Sequence, residues 1–384
     1  MDYLLSENQK MIQDLARQIA REKIAPVAAE YDEKEEFPWP IMKILSDSDL
    51  FGVYIEEKYG GTGGGVLDLA IVTEELSKAC GGIAVCYAAS ALGTYPIILY
   101  GSDEQKNKYL PDLAGGKKLA AFGLTEASAG SDAGAIATTA KKDGDYYILN
   151  GTKQWITNGG EAETYSVVAI TDKTKGPRGA SAFIVEKGMP GFTFGKKEKK
   201  LGIRASATRE LVFTDCKVHK NNLLGREGMG FIVAMKTFDQ SRPGVASQAV
   251  GIAQGALDLA VKYAKERVQF GKPISSFQAI QHMLADMATE TEAARALVYA
   301  TARMIDAGGT KVSKASAMAK LFASDVAMKV TTDAIQVFGG YGYMRDYPVE
   351  KFMRDAKITQ IYEGTNQIQR NVIALELIKE SLRK

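Results

Sequence analysis

Apolar positions return every three to four residues near the start of the chain. They alternate with polar ones through much of its middle third, then resume helical spacing to the end. In the first stretch Ile12, Leu15, Ala16 and Ile19 share one helical face. Ser6 with Gln9 three residues on makes a capping box, and Pro26 is the expected stop. Further helices are expected over 41–50, 67–78 and 83–100, the last rich in small residues that suit close packing. GGTGGG at 60–65 predicts a flexible turn. It resembles a phosphate cradle but lacks the Lys-Ser/Thr that completes one, and no strand pattern leads into it.

From about residue 119 short β runs take over. Residues 146–149 and 152–157 flank Asn150-Gly151, a strong two-residue hairpin signal. Runs at 165–171, 180–185 and 210–213 follow, punctuated by turn residues, and predict a small β-barrel or sandwich. Lys196-Lys197-Glu198-Lys199-Lys200 falls between two of these strands; it reads as a solvated hairpin tip, with docking of an acidic partner or phosphate as the alternative. From about 233, long helical patterns cover 244–269, 277–307 and 312–338, broken at Gly271-Lys272-Pro273 and Gly308-Gly309, and 366–382 closes the chain. The expected fold class is α+β and multidomain: an N-terminal helical domain (1–118), a middle β domain (119–232) and a C-terminal four-helix bundle (233–384).

Composition narrows the chemistry. In 384 residues, 48 Lys plus Arg balance 46 Asp plus Glu, so no global charge points to nucleic acid. MDYLLSENQK lacks the basic and apolar segments of a leader, and no apolar run is expected to span a bilayer. Cys80, Cys86 and Cys216 are odd in number and scattered, which predicts no disulfide framework or zinc site and a reducing, cytoplasmic location. His219 and His282 are the only histidines and read as surface or packing residues. Acid–base chemistry, if present, falls to a carboxylate, and no metal is expected.

One carboxylate stands out. Glu363 lies between Tyr362 and Gly364-Thr365-Asn366-Gln367, a setting that can bury it part-way, raise its pKa and make it a general base. The plain alternative is a helix-end residue. FGLTEASAGSDAGA (122–135) offers small residues and the hydroxyls of Thr125 and Ser131 to a ligand, or is simply a Ser/Gly/Ala loop. Trp155 can stack on a planar ring or fill a core. Arg267 and Gln278 flank a helix break, where Arg267 can grip a pyrophosphate or form an exposed ion pair. QVFGGYGY (336–343) reads as a helix cap or as close backbone approach to a cofactor. No GxGxxG follows a strand, so a Rossmann site is not supported.

Taken together, GLTEASAGSDAGA, QVFGGYGYMRDYPVEKFMRDAK and IYEGTNQIQR, in this order and layout, resemble the acyl-CoA dehydrogenase family over essentially the whole chain. The resemblance implies FAD as cofactor and acyl-CoA thioesters as substrates, oxidised to trans-2-enoyl-CoA. Glu363 would take the α-proton while the β-hydrogen leaves as hydride. The Glu363 N–H and a ribityl hydroxyl would hold the thioester carbonyl. Phe122, Leu124, Thr125 and Ser131 resemble the flavin-contacting loop, with Ser131 also near the CoA chain. Trp155, Ile156 and Thr157 resemble the strand beside the flavin ring. Arg267 and Gln278, with the adjoining Phe270, and Gln336, Gly339 and Gly340 match residues that reach a neighbouring subunit's FAD; Thr365 and Gln367 match flavin contacts. Asp239, Ser241 and Arg242 resemble a CoA-contacting helix start, and Tyr362 and Gly364 lie by the substrate.

Ala127 departs from the family's usual Pro after Thr-Glu, which loosens the loop. FDQSRP resembles medium-chain members, whereas GGYGY and ITQIYEGTNQ resemble butyryl-CoA dehydrogenases. Tyr95 and Pro96 lie in a helix that by this resemblance floors the acyl pocket, where Tyr95 is expected to shorten it to about four to six carbons or else is simply a core residue. The resemblance further implies a homotetramer passing electrons to an electron-transferring flavoprotein, with Glu198 as a candidate contact. Alternatives are an enoyl-CoA reductase in a bifurcating complex, a medium-chain, branched or aromatic specificity, an acyl-CoA oxidase, or a non-catalytic acyl-CoA binder.

Overall fold

The structure is a computed structural model describing residues 3–382. Helix α1 (Glu7–Ile19) starts on the expected box: Ser6 Oγ accepts from Gln9 N at 3.2 Å and Gln9 answers to Ser6 N at 3.1 Å. Pro26 does not stop the chain's helical course. A π turn (Ala20–Ile24) and a 3₁₀ turn (Ala25–Val27) run straight into α2 (Ala28–Lys34), because a proline near the start of a new turn lacks only an amide that would be unpaired anyway. α3 (Trp39–Asp47), α4 (Val66–Ser77) and α5 (Gly81–Tyr100) follow the sequence pattern. α6 (Asp103–Ala114) was not foreseen, although Ser102 and Gln105 form a second capping box.

The GGTGGG turn delivers α4. Both leading amides of α4 are taken from across the molecule: Asp306 accepts from Val66 N at 2.7 Å and from Leu67 N at 2.9 Å, which leaves no phosphate cradle there. Contrary to expectation, α5 is long and apolar enough to cross a membrane; in this fold 78% of its apolar window is buried, so it serves as a core helix.

The middle sheet runs β6-β7-β3-β2-β4-β5-β8, with β1 added beside β4. Its strands are β1 (Ala120–Gly123), β2 (Thr139–Asp143), β3 (Tyr146–Thr157), β4 (Thr164–Ile170), β5 (Ala180–Glu186), β6 (Phe192–Lys197), β7 (Thr208–His219) and β8 (Leu223–Leu224). The expected hairpin at Asn150-Gly151 is absent, since β3 runs through it. Asn150 instead exchanges hydrogen bonds with Asp215 (2.9 and 3.1 Å) across a bulge in the β3–β7 ladder. Gly151 is needed there because a Cβ would stand 2.5 Å from Thr138 Oγ1. The real turn is Gly144-Asp145, joining β2 to β3. The lysine run is not wholly solvated either: Lys200 tucks in and donates to Ser206 O at 2.8 Å, and burial draws it down to about 8.

The C-terminal part packs α7 (Gly230–Glu266), α8 (Gln278–Asp306), α9 (Ser313–Phe338), a further short α10 (Val349–Thr359) and α11 (Asn366–Ser381). A two-residue hairpin, β9 (Val268–Gln269) to β10 (Lys272–Pro273), joins α7 to α8, with Phe270 and Gly271 at φ 52° and 75° as the turn. α7 begins some fourteen residues before the expected 244 and passes through Pro243. Proline deprives the Asp239 carbonyl of its helical donor, and Ser316 Oγ of α9 supplies one at 2.8 Å.

Candidate active site

A cavity of ≈ 480 Å³ opens where α5, β1, β3 and α7 meet the turn between α10 and α11. Its inner wall is apolar: Leu69, Val85, Ala88, Leu92, Tyr95 and Val245. Its mouth carries the hydroxyls of Thr125, Ser131 and Thr157 beside Trp155. That mixture suits a ligand with an apolar tail and a polar, partly planar head.

Glu363 closes one side. Both Glu363 and Gly364 take positive φ, 51° and 91°, in a turn that swings the carboxylate into the cavity. Its Oε2 accepts from Ser241 Oγ at 2.7 Å, and its carbonyl accepts from Arg242 Nε at 3.4 Å and Gln369 Nε2 at 3.1 Å. Loss of water raises its pKa; the Ser241 bond and the Arg242 and Lys320 cations pull the other way, and the balance sits at about 7. Its N–H meets no acceptor among the described residues, so a donor beside the carboxylate is available to a ligand oxygen. Tyr362, behind it, donates to Gln248 Oε1.

The small-residue loop is shaped by a buried ion pair. Glu126 accepts from Ala137 N (2.6 Å), Thr138 N (3.0 Å) and Lys153 Nζ (2.7 Å), while Lys153 also donates to Leu124 O at 3.0 Å. Burial draws Lys153 down to about 8; burial would also raise Glu126, but Lys153 and these donors hold it below the usual range. With Lys153 turned inward, the ladder shifts register before Ile156 and Trp155, at φ 57°, is thrown outward, leaving it 56% exposed at the cavity mouth.

The resemblance-derived residues divide into groups. Phe122, Leu124, Thr125, Ser131, Trp155, Ile156, Thr157, Ser241, Arg242, Tyr362, Glu363 and Gly364 all line this cavity. Arg267, Gly339 and Gly340 line a separate open cleft, with the Arg267 guanidinium 5.3 Å from the Tyr341 ring. Phe270, 91% exposed on its hairpin tip, and the exposed Gln278 and Gln336 line neither. Thr365 caps α11, accepting from Ile368 N at 3.3 Å, and Gln367 faces outward. Asp239 is not at a helix start but in the third turn of α7. Its carboxylate, outside the cavity, is engaged by Ser313 (2.7 Å) and Lys236 (3.1 Å).

Three family models cover the chain nearly end to end: acyl-CoA dehydrogenase N-terminal domain (6–117), middle domain (121–216) and C-terminal domain (228–378). This chain belongs to the acyl-CoA dehydrogenase family. It is 50% identical to the short-chain-specific acyl-CoA dehydrogenase of Clostridium acetobutylicum, over 99% of this chain and 100% of that one. It superposes on butyryl-CoA dehydrogenase from Megasphaera elsdenii with a TM-score of 0.96 at 50% identity, covering 98% and 100% of the two chains. A chain solved in work on the electron transferring flavoprotein of Acidaminococcus fermentans and flavin-based electron bifurcation matches with a TM-score of 0.96 at 54% identity, covering 98% and 99%.

Sequence reading missed the groups that hold the base: Gln248, Lys320 and Gln369. A signal existed for Lys320, a lysine on the alanine- and serine-rich face of its helix (Ser316, Ala323, Ser324), where a solvated charge does not belong.

Proposed function

We propose that this chain catalyses α,β-dehydrogenation of a short-chain, butyryl-CoA-like thioester to the trans-2-enoyl-CoA, with FAD as the flavin. The observation that carries the reading is Glu363, a carboxylate tuned to about 7 on the wall of an apolar cavity. Membership of the family implies a flavin. The donors at the cavity mouth fit one: the exposed ring of Trp155, the hydroxyls of Thr125, Ser131 and Thr157, and open space beside Gly130, where a Cβ would meet nothing within 4 Å. Phe122, Leu124 and Ile156 would complete that wall. Bound there, the flavin supplies the hydride acceptor for the β-carbon.

The chain's own part is proton chemistry. An acyl tail enters between α5 and α7, the Glu363 N–H donates to the thioester oxygen as negative charge gathers on it, and Glu363 removes the α-proton. Apolar walls exclude water, so the carboxylate meets that proton as a stronger base than a solvated one. Because only the ionised form works, kcat/KM is expected to fall as pH drops below about 7. Ser241→Ala, which removes a hydrogen bond favouring the ionised form, should move that limb to higher pH, as a pH–rate profile would show.

Chain length is set on the same reading by Tyr95, buried on the cavity wall. Tyr95→Leu should raise the octanoyl-to-butyryl ratio of kcat/KM by about tenfold; an unchanged ratio would remove Tyr95 as the determinant. The outward Gln278, Gln336 and Phe270, and the cleft of Arg267, Gly339 and Gly340, support a homotetramer in which these residues serve a neighbour's FAD. Electrons would pass to an electron-transferring flavoprotein in a reducing cytoplasm, in keeping with three buried, unpaired thiols.

A second reading, the same subunit run as an enoyl-CoA reductase in a bifurcating complex, is favoured by the likeness to the chain solved in the work on flavin-based electron bifurcation. Anaerobic titration with acyl-CoAs of graded length tests the first: butyryl-CoA should bleach the oxidised flavin band. A yellow protein that no acyl-CoA bleaches would defeat it. Faster flavin oxidation by crotonyl-CoA than reduction by butyryl-CoA would favour the second.

A further inference from the structure

Lys320 projects from α9 beneath the turn that carries Glu363, with its side chain fully buried. Nζ donates to Gly364 O at 2.8 Å and to Asn366 Oδ1 at 2.8 Å. Asn366 is itself pinned, its Nδ2 donating to Ser324 Oγ (2.9 Å) and Asp325 Oδ1 (2.7 Å) of the same helix. Gln369 Nε2 bridges the Glu363 and Gly364 carbonyls at 3.1 and 2.9 Å. A non-glycine residue at φ 51° holds that conformation only where its surroundings enforce it, and these donors are what enforces it here.

Burying an ammonium is unfavourable unless its protons find acceptors, and here Nζ gives two of them to the turn that carries the base. The charge therefore calls for a role at this position. We propose that Lys320 is a positioning residue for Glu363, fixing the 363–364 turn through the Gly364 carbonyl and favouring the ionised base with its charge.

The groups facing Glu363 from each neighbouring element are few. Ser241 and Arg242 come from α7, Lys320 from α9, Tyr95 from α5 and Tyr362 from the turn itself; Asp325 and Asp239 stand behind Lys320 and Arg242. Arg242 and Lys320 are the two cations in this set. Burial draws the Lys320 proton down to about 7, although Glu363 favours keeping it. Base and lysine each favour the charged form of the other, so they titrate as a coupled pair.

The test compares Lys320→Met, which keeps length but loses donor and charge, with Lys320→Gln, which keeps a donor and loses the charge. Both are made in the full flavin-loaded protein. Its kinetic arm rests on the proposed acyl-CoA activity; its spectroscopic arm does not. In the infrared, the protonated-carboxyl band of Glu363, assigned by its absence in Glu363→Gln, should titrate with a midpoint raised by roughly half a pH unit or more in both variants. The acid limb of butyryl-CoA kcat/KM should rise in step. Lys320→Met should lose about 10²-fold in kcat with little change in KM, and Lys320→Gln less.

Variants that fold, hold flavin and keep the wild-type infrared midpoint and kcat would overturn the proposal. So would insolubility of both, which would assign Lys320 to the fold. A wild-type protein that turns over no acyl-CoA counts against the substrate reading, while the infrared midpoint still decides the role of Lys320.

Discussion

Glu363→Gln is expected to cut flavin reduction by butyryl-CoA about 10⁴-fold while leaving the thioester bound, measured by stopped-flow bleaching of the flavin band. The amide fills the same space and keeps the Ser241 contact but cannot take a proton. The same variant should be more stable than the parent at pH 8. With its folded pKa near 7 against an ordinary 4.5, Glu363 binds its proton more tightly in the fold than in the unfolded chain. Stability is therefore lost as pH rises from about 4.5 through 7, at a ceiling of roughly 3 kcal/mol for a 2.5-unit shift. A higher Tm for Glu363→Gln at pH 8, shrinking as pH falls toward 4.5, would show that the base is kept at the expense of the fold. An equal Tm across that range would mean Glu363 is not desolvated as described.

Gly93→Val should do the largest structural damage. At Gly93 α5 crosses β1 so closely that a Cβ would stand 2.4 Å from Ala121 N and 2.8 Å from the carbonyl carbons of Ala120 and Ala121. These are backbone atoms of a paired strand and cannot swing aside, so the cost should exceed about 3 kcal/mol. β1 carries Phe122 and leads directly into Leu124 and Thr125, and α5 supplies the wall of Ala88, Ala89 and Leu92. Loss of Tm should thus come with loss of retained flavin, read as the absorbance ratio after gel filtration. A variant that melts early yet keeps its flavin would separate the two.

What could be read from the chain and what could not follow one physical divide. Helical periodicity reports burial on one face, so the long helices were legible, as were β3, β4, β5 and β7, whereas β1, β2, β6 and β8 were not; Glu363 stood out by its Tyr-Gly flanks, which left a helix-end residue open, and by the IYEGTNQIQR motif. Local turn signals misled where a distant partner outweighed them. Asn150-Gly151 has hairpin chemistry, but Asp215 from β7 and the crowding of Thr138 spend its positive φ on a bulge, and the hairpin geometry reappears at Phe270-Gly271. Pro26 and Pro243 both sit within continuous helical runs, the second because Ser316 supplies the missing donor. The cavity-lining set was legible from motifs. The place of Asp239 against Ser313, and the hold of Lys320 and Gln369 on the base, depend on helices brought together only in the folded molecule.

The Asp306 cap on α4 bears on how the chain is made. The two amides it satisfies belong to residues 66 and 67, about 240 positions earlier. At about 5–20 residues per second, the ribosome needs on the order of ten to fifty seconds to deliver the capping carboxylate. For that time α4 has an unfinished end, and for part of it α5, apolar enough to pass for a membrane span, lacks the later helices that bury it. Until those helices arrive, the N-terminal third carries an uncovered apolar helix, the kind of transiently exposed surface that chaperones exist to shield. The α4 end is finished only once α8 is made, whereas α5 is covered chiefly by β1 and α7, which emerge earlier.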